Sequence, residues 1–171
     1  MEKIVHNHDS LLESDVNRVV KRAKALIVNS NNEIALCFSH NNYFFLGGHV
    51  ENEESDYACL KREIKEEAGI DFDFSLDEPF FSIIYYNRDY PEKGMNTKTE
   101  INYYVLNADI KVDSKNTSLT EDEKSGNFEI KFIDRDKICS VLEESLSIST
   151  IPAVTEDTLK ICKLYYDSLV K

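Results

Sequence analysis

The chain has 171 residues, of which 42% are hydrophobic and 11% aromatic, and its formal net charge at pH 7 is −12. This length and composition are typical of a single globular domain with a sizeable core. No cluster of Lys and Arg is dense enough to neutralise several phosphates, which excludes a nucleic-acid polymer as partner. No apolar run approaches the roughly eighteen residues of a membrane span. Small phosphorylated ligands are compatible with the acidic charge, because bound divalent cations reverse the field of an acidic site.

The cysteines and the N-terminus indicate a cytoplasmic protein. The opening MEKIVHNHDS has neither the basic start nor the apolar run of a signal peptide. The cysteines are far apart, with no CxxC pair and no His at zinc-ligand spacing. We therefore expect reduced thiols at all four positions, which are Cys37, Cys59, Cys139 and Cys162.

The first third of the chain predicts an N-terminal extension, a hairpin and a short strand. Residues 1–20 are interpreted as the extension. Two β-rich runs flank Ser30-Asn31-Asn32, a turn-forming cluster suited to a β-hairpin. A third, short apolar run from Tyr43 to Leu46 leads into Gly47-Gly48.

The sequence then changes to a helical period. Ser55 suits an N-cap, and Gly69 is placed where a helix ends in a left-handed residue. These two signals predict a helix of about four turns from Asp56 to Ala68.

The remainder of the chain returns to strand-like segments and ends in helices. Strands are predicted in FDFSLDEPFFSIIYYN, TEINYYVLNADI and FEIKFID, which are separated by polar residues 88–98 and an acidic loop at 114–127. Helical patterns cover Asp136 to Leu146 and Pro152 to Val170, the latter within a C-terminal helix assigned to 152–171. This order predicts an α/β fold in one domain of 171 residues, with a mixed sheet packed between helices.

The predicted central helix carries an acidic edge. Glu63, Glu66 and Glu67 are spaced i, i+3, i+4 and therefore share one face. Their mutual repulsion leaves two interpretations: a solvated face partly offset by Arg62 and Lys65, or a site for hard divalent cations. A second stripe, about 110° away around the helix, forms a separate core face and consists of Tyr57, Leu60, Ile64 and Ala68.

The spacing around this edge favours the metal site. Five residues separate Gly48 from Glu54, and seven more precede Arg62-Glu63. These are followed by an aliphatic residue, one residue of any type, Glu66-Glu67, one further residue of any type, and Gly69-Ile70. The segment resembles the Nudix box, Gx5Ex7REUxEExGU with U a bulky aliphatic, at every defined position. Chance would produce such a match on the order of once in 10⁸ to 10⁹ windows.

Resemblance to Nudix hydrolases implies a fold, a reaction and a cofactor. The fold is an α/β/α sandwich, and the reaction is hydrolysis of a nucleoside diphosphate linked to another group, X. The implied cofactor is Mg²⁺ or Mn²⁺. Leu46 stands where a proline often precedes the paired glycines, and Glu53 stands where a glycine often precedes the first box glutamate; neither position belongs to the defining signature. The resemblance also implies residue roles: metal ligands at Glu63, Glu66, Glu67 and the Gly47 carbonyl, orientation by Arg62, and support from Glu54 and Gly48.

The general base and the substrate contacts are less defined. The family does not fix the base, and the candidate carboxylates are Glu100, Glu121, Asp122 and Glu123. Base recognition is expected from aromatic and polar groups on the sheet and its loops. The candidates for substrate contact are Phe44, Tyr85, Tyr86, Arg88, Lys93, Lys98 and His49, although aromatic core packing or a solvated charge also accounts for each of them.

Two alternatives to an enzyme are a nucleotide sensor or binding module on the same scaffold, and a helix that binds cations for structural reasons. The complete set of box glutamates favours the enzyme. A nucleoside triphosphate or a nucleotide sugar is the favoured substrate, with ADP-ribose, dinucleoside polyphosphates and oxidised nucleoside triphosphates also open. The expected partner is a small phosphorylated nucleotide, without a membrane. The oligomeric state is open between monomer and homodimer.

Overall fold

The computed structural model describes residues 2–169. A 3₁₀ turn (Glu13–Asp15) follows the first strand. The strands and helices are β1 (Glu2–His6), β2 (Arg18–Val28), β3 (Glu33–Ser39), β4 (Asn42–Phe44), α1 (Asp56–Ala68), β5 (Phe81–Asn87), β6 (Thr97–Asn107), α2 (Glu121–Ser125), β7 (Glu129–Asp134), α3 (Ile138–Ser145) and α4 (Pro152–Leu169).

All these strands belong to one mixed sheet. Its order is β1-β5-β6-β2-β3-β4, and β7 pairs with β3. The β1/β5 and β2/β6 pairs are parallel, whereas the other pairs are antiparallel. The predicted α/β class with a mixed sheet is confirmed.

Helices cover both faces of the sheet. On one face, Leu60 and Ile64 of α1 are buried against Ile27 and Leu106. On the other face, side chains of α3 and α4 pack on a second cluster that includes Phe45 and Tyr103. This arrangement is the expected sandwich, because each face of the sheet needs an amphipathic layer to bury its apolar side chains.

The sheet splits between β2 and β3. These two strands pair only next to their turn, where Ile27–Val28 lie opposite Ile34–Ala35. Farther on, the chain that follows β4 enters beside β2 and forms isolated bridges at Leu46 and His49. The backbone N–H of Ala23 donates to the Gly48 carbonyl at 3.1 Å. The paired glycines are therefore held at the fork of the sheet, next to α1.

The structure changes several predicted boundaries. Residues 2–6 form an edge strand paired with β5, so the N-terminal segment is part of the sheet. Residues 71–78 contain no strand, although FDFSLDEP reads as one. Their side chains pack toward the α1 face without a backbone ladder, which explains the misleading alternation. The residues concerned are Phe72, Phe74 and Leu76.

The C-terminal half also contains an unpredicted element. The acidic loop at 114–127 includes the short helix α2, whose N-terminus is capped by Thr120 and Glu123. The predicted C-terminal helix is found as α4 up to Leu169, and Val170 and Lys171 lie outside the described residues. Within residues 2–169, no helix combines the length and the apolar character needed to cross a membrane.

Candidate active site

Helix α1 begins and ends where the sequence predicts. The Ser55 side chain accepts a hydrogen bond from the Ala58 N–H at 3.2 Å, and Gly69 has a left-handed φ of 71°. Leu60 is fully buried. Tyr57 is only half-buried and packs 4.9 Å from the Phe74 ring centroid. The helix is therefore anchored by its aliphatic stripe more than by its aromatic end.

The Arg62 guanidinium joins several parts of the box. Its Nε and Nη2 donate to the two carboxylate oxygens of Glu54, each at 3.0 Å. Its Nη1 donates to Glu63 at 2.8 Å and to Glu66 at 3.4 Å, and Nη2 reaches the His49 carbonyl at 2.9 Å. This hydrogen bonding lowers the pKa of Glu54. Arg62 thus fixes the carboxylates against the glycine loop, since planar guanidinium donors favour such bidentate geometry.

Glu67 is buried, with only 4% of its surface exposed. One carboxylate oxygen accepts from the Gly47 N–H at 2.9 Å. Burial raises its pKa to about 8, although Lys24 acts in the opposite direction. Burial and the neighbouring Glu63 also raise the pKa of Glu66. The predicted separation of a core face from a carboxylate face is therefore wrong at Glu67, which lies in the boundary between them.

The two glycines of the loop leave room for this arrangement. Gly47 has a φ of 112°, and a Cβ there would collide with the Ala23 carbonyl and with Leu60. A Cβ on Gly48 would collide with the Glu63 carboxylate. A side chain at either position would displace the backbone or the acid from its place in the fork.

Lys24 is a site residue that the sequence pattern did not reveal. It lies on β2, its ammonium donates to the Gly47 carbonyl, and it is 5.4 Å from the Phe44 ring centroid. The only sequence signal is a lysine between Ala23 and Ala25, in a strand that also carries Arg18, Lys21 and Arg22. Its position beside the loop places a cation next to the buried carboxylate of Glu67.

The donors at this site fit a hard divalent cation in type. They are carboxylates and a backbone carbonyl, which are the oxygen ligands that Mg²⁺ and Mn²⁺ prefer. As the side chains stand, residues 2–169 contain no group of three or more His, Cys, Asp or Glu close enough to hold a metal. Arg62 engages Glu63 and Glu66, and Lys24 engages the Gly47 carbonyl. The protein's own cations therefore occupy the donors that a metal would need.

The carboxylate edge opens into a cleft of about 1070 Å³. Glu63, Glu66 and Glu67 contribute to its lining, as do residues of α4. Of the candidate carboxylates on the acidic loop, Asp122 and Glu123 line the cleft. The lining of the cleft therefore combines these carboxylates with side chains of α4.

The other two candidate carboxylates form ion pairs with lysine side chains. Glu121 pairs with Lys124 at 2.7 Å, and Glu100 pairs with Lys98 at 3.0 Å. Neither glutamate lines the cleft. The geometry therefore favours the Asp122–Glu123 segment over these two as the source of an additional carboxylate.

Some of the candidate substrate contacts line the cleft and others do not. Phe44 and His49 line the cleft. Arg22 Nη2 lies 3.1 Å from the His49 ring Nε2, and burial together with Arg22 lowers the pKa of that histidine. Tyr86 instead donates to Glu13, and Arg88 contacts the Asp9 carbonyl at 3.3 Å.

Tyr86 and Arg88 are therefore not part of the cleft wall, and their predicted contact with substrate has no support from the geometry. Tyr85 interacts with α4 through a hydrogen bond to Asp157. Lys98 binds Glu13 at 2.8 Å and also lies outside the wall, as does Lys93.

Asp56 is a second residue whose role the sequence did not reveal. Its Oδ2 accepts from Asn102 at 2.9 Å and from the Tyr104 hydroxyl at 2.6 Å. It therefore ties the first turn of α1 to β6. The sequence marks Asp56 only as a favourable first-turn acid, because its partners lie about fifty residues away.

Comparison with known proteins defines the family. The family model of the NUDIX domain matches residues 18–148. The chain therefore belongs to the Nudix family, and it is a Nudix hydrolase. Members of this family generally use divalent metals and act on small nucleotide substrates. A sequence comparison with curated proteins found no match.

Solved structures show the same fold at low sequence identity. A MutT protein from Methanosarcina mazei Go1 is 20% identical, with 91% of this chain and 99% of that chain covered and a TM-score of 0.52. The E. coli dihydroneopterin triphosphate pyrophosphohydrolase is 13% identical, with coverage of 80% and 90% and a TM-score of 0.53. A C. elegans Ap4A hydrolase in a binary complex is 18% identical, with coverage of 88% and 98% and a TM-score of 0.51.

Proposed function

We propose that the protein hydrolyses the pyrophosphate bond of a nucleoside diphosphate linked to X, releasing a nucleoside monophosphate and phosphoryl-X. The observation that carries this proposal is the Arg62 network. It joins Glu54, Glu63 and Glu66, and the last two of these line a large cleft. The reactions named for the E. coli and C. elegans neighbours are consistent with it.

The residues of the box have different proposed roles in the reaction. Glu63, Glu66, Glu67 and the Gly47 carbonyl would hold Mg²⁺ or Mn²⁺. When bound, such an ion neutralises phosphate charge and lowers the pKa of a coordinated water. Arg62 orients the carboxylates, and Glu54 in turn holds Arg62 in its bidentate geometry.

The remaining candidates are assigned by their place in the cleft. Glu123 is the proposed general base, because it lines the cleft together with Glu66 and Glu67. Phe44 is the proposed aromatic contact for the nucleotide, and Lys24 lies beside it. The proposed substrate is a nucleoside triphosphate or a nucleotide sugar.

A phosphate-release screen with Mg²⁺ tests the proposal. The panel contains nucleoside triphosphates, whose pyrophosphate product is followed with inorganic pyrophosphatase, and nucleotide sugars, ADP-ribose and dinucleoside polyphosphates, whose phosphomonoester products are followed with a phosphatase. We expect turnover of at least one class by the wild type and its loss in Glu66→Gln. Glu53→Gln, an exposed change outside the helix, serves as the matched control and should retain turnover.

The same panel separates the alternatives. Nucleotide binding without turnover would indicate a sensor or binding module. A metal-dependent gain in thermal stability with neither binding nor turnover would indicate a structural cation site. Either result would contradict the proposed hydrolase reaction.

A further inference from the structure

Part of the cleft lining lies outside the box. This wall is formed by α4 and by the neighbouring face of the sheet, and it includes Ile101, Tyr103 and Val154. These three side chains present apolar surface, which suits the flat face of a nucleobase. The carboxylate of Asp157 lies in the same wall.

Asp157 is fixed by an aromatic neighbour. The Tyr85 hydroxyl donates to its Oδ2 at 2.5 Å. The Tyr85 ring stacks on His6, with centroids 4.7 Å apart and an interplanar angle of 12°. Because Tyr85 is held by both contacts, one oxygen of Asp157 has a defined position in the wall.

The Asp157 carboxylate has no ion-pair partner in the described part of the chain. Asp157 is half-buried, and burial raises the pKa of its carboxyl, whereas the Tyr85 hydrogen bond and the neighbouring His6 and Lys160 act in the opposite direction. Within residues 2–169, no Lys, Arg or His forms an ion pair with it. Partial burial of an acid without an ion pair is unfavourable unless other donors compensate. The Tyr85 hydrogen bond engages Oδ2, and the side chain borders the cleft.

We propose that Asp157 is a specificity-determining residue that accepts N–H hydrogen bonds from the edge of the nucleobase, with guanine as the best match. An ionised carboxylate only accepts hydrogen bonds. Guanine presents two adjacent donors, its ring N1–H and its 2-amino group, whereas adenine and cytosine offer the amino group alone on this edge. The inference rests on the proposed function, since the box residues that would hold the phosphates line the same cleft as Asp157.

Steady-state kinetics with Asp157→Asn test this assignment. The substrates are GTP, ITP, which lacks the 2-amino group, and ribose 5-triphosphate, which has no base. We expect Asp157→Asn to lower kcat/KM for GTP by about ten-fold or more, mainly through KM, since a site built to pair a polar group discriminates strongly. The GTP preference over ITP should shrink, and hydrolysis of ribose 5-triphosphate should not change.

Two further variants keep the test decisive. Glu156→Gln removes an exposed neighbouring charge on the same helix and should leave all three substrates unaffected. Tyr85→Phe retains the Asp157 carboxylate but removes its hydrogen bond, and it should weaken GTP selectivity by a smaller factor. If Asp157→Asn fails to fold, as judged by thermal unfolding, the Tyr85→Phe ratio of GTP to ITP decides the question.

The failure of this inference differs from failure of the proposed function. If the wild type hydrolyses ribose 5-triphosphate or any nucleotide, but the Asp157 and Tyr85 variants change all substrates equally, Asp157 does not read the base. An unchanged GTP to ITP ratio in a folded Asp157→Asn variant would likewise overturn the assignment. If the wild type hydrolyses nothing in the panel, the proposed function itself fails and this inference falls with it.

Discussion

At the scale of single residues, Arg62 connects the largest number of groups in the site. It binds Glu54 through two parallel hydrogen bonds and also contacts Glu63, Glu66 and the His49 carbonyl. The spacing of the box predicts these partners, because the resemblance assigns Arg62 an orienting role. The contact with the His49 carbonyl depends on the path of the loop and has no signature in the sequence.

Replacing Arg62 with lysine should preserve the charge and destroy the geometry. Lysine cannot make the two-point contact with Glu54 while also reaching Glu63. We expect kcat/KM to fall roughly 10- to 100-fold, the usual loss when a group that orients metal ligands is removed. Lys65→Arg is the reciprocal exchange at an exposed position of α1 and should be neutral. Equal activity of Arg62→Lys and the wild type would contradict this role.

Gly48 offers a test of how tightly the loop fits Glu63. Alanine at this position would bring its Cβ into the Glu63 carboxylate. Because the acid would have to move away from Arg62, we expect Gly48→Ala to lower turnover about ten-fold or more, with circular dichroism unchanged. Asn52→Ala, in an exposed turn of the same loop, is the control. Full turnover in the Gly48 variant would show that Glu63 does not need this position.

At the scale of elements, the fork between β2 and β3 brings the loop to α1. Sequence periodicity predicts α1 and the β2–β3 hairpin, since both are set by local spacing, a cap and a turn. It does not predict that the strands separate after two paired residues. Residues 71–78 alternate as a strand would, yet they pack without pairing, because burial of Phe72 and Phe74 does not require a ladder.

Asp56 provides a prediction about the attachment of α1 to the sheet. Asp56→Ala would leave Asn102 and the Tyr104 hydroxyl without their acceptor. We expect the free energy of unfolding, measured by urea denaturation, to fall by about 1–3 kcal/mol. Ser55→Ala removes only the cap and should cost about 1 kcal/mol. In a Tyr104→Phe background, Asp56→Ala should lower the free energy of unfolding by a smaller amount. A double-mutant cycle that shows no such coupling would refute the hydrogen bond between Asp56 and Tyr104.

At the scale of the whole molecule, the packing of helices on the sheet buries the Glu67 carboxylate at the edge of the core. The folded-state pKa of Glu67 is about 8, above its ordinary 4.5, because burial disfavours the charged form. The composition and the sequence order predict the sandwich. They do not predict Glu67's burial, because helical spacing assigns it to the solvated edge, whereas the glycine loop covers that edge in the folded chain.

This burial predicts a pH dependence of stability in the metal-free protein. The folded state binds the Glu67 proton more tightly than the unfolded state does. The free energy of unfolding should therefore fall as the pH rises from about 4.5 to about 8, as far as this group contributes. Urea denaturation in EDTA checks the slope, and Glu67→Gln should flatten it and be more stable than the wild type at pH 8. An identical slope in both proteins would contradict the assignment.

The decisive measurement for the hydrolase is product formation in the presence of Mg²⁺ by the wild type and by Glu67→Gln. Chromatography of the products from the nucleotide panel would follow the nucleoside monophosphate directly. The structure predicts Mg²⁺-dependent release of the monophosphate by the wild type, and a loss of more than roughly 100-fold in the folded Glu67→Gln variant. Release at the wild-type rate by Glu67→Gln, or release independent of divalent metal, would contradict the assignment of the box as the catalytic centre.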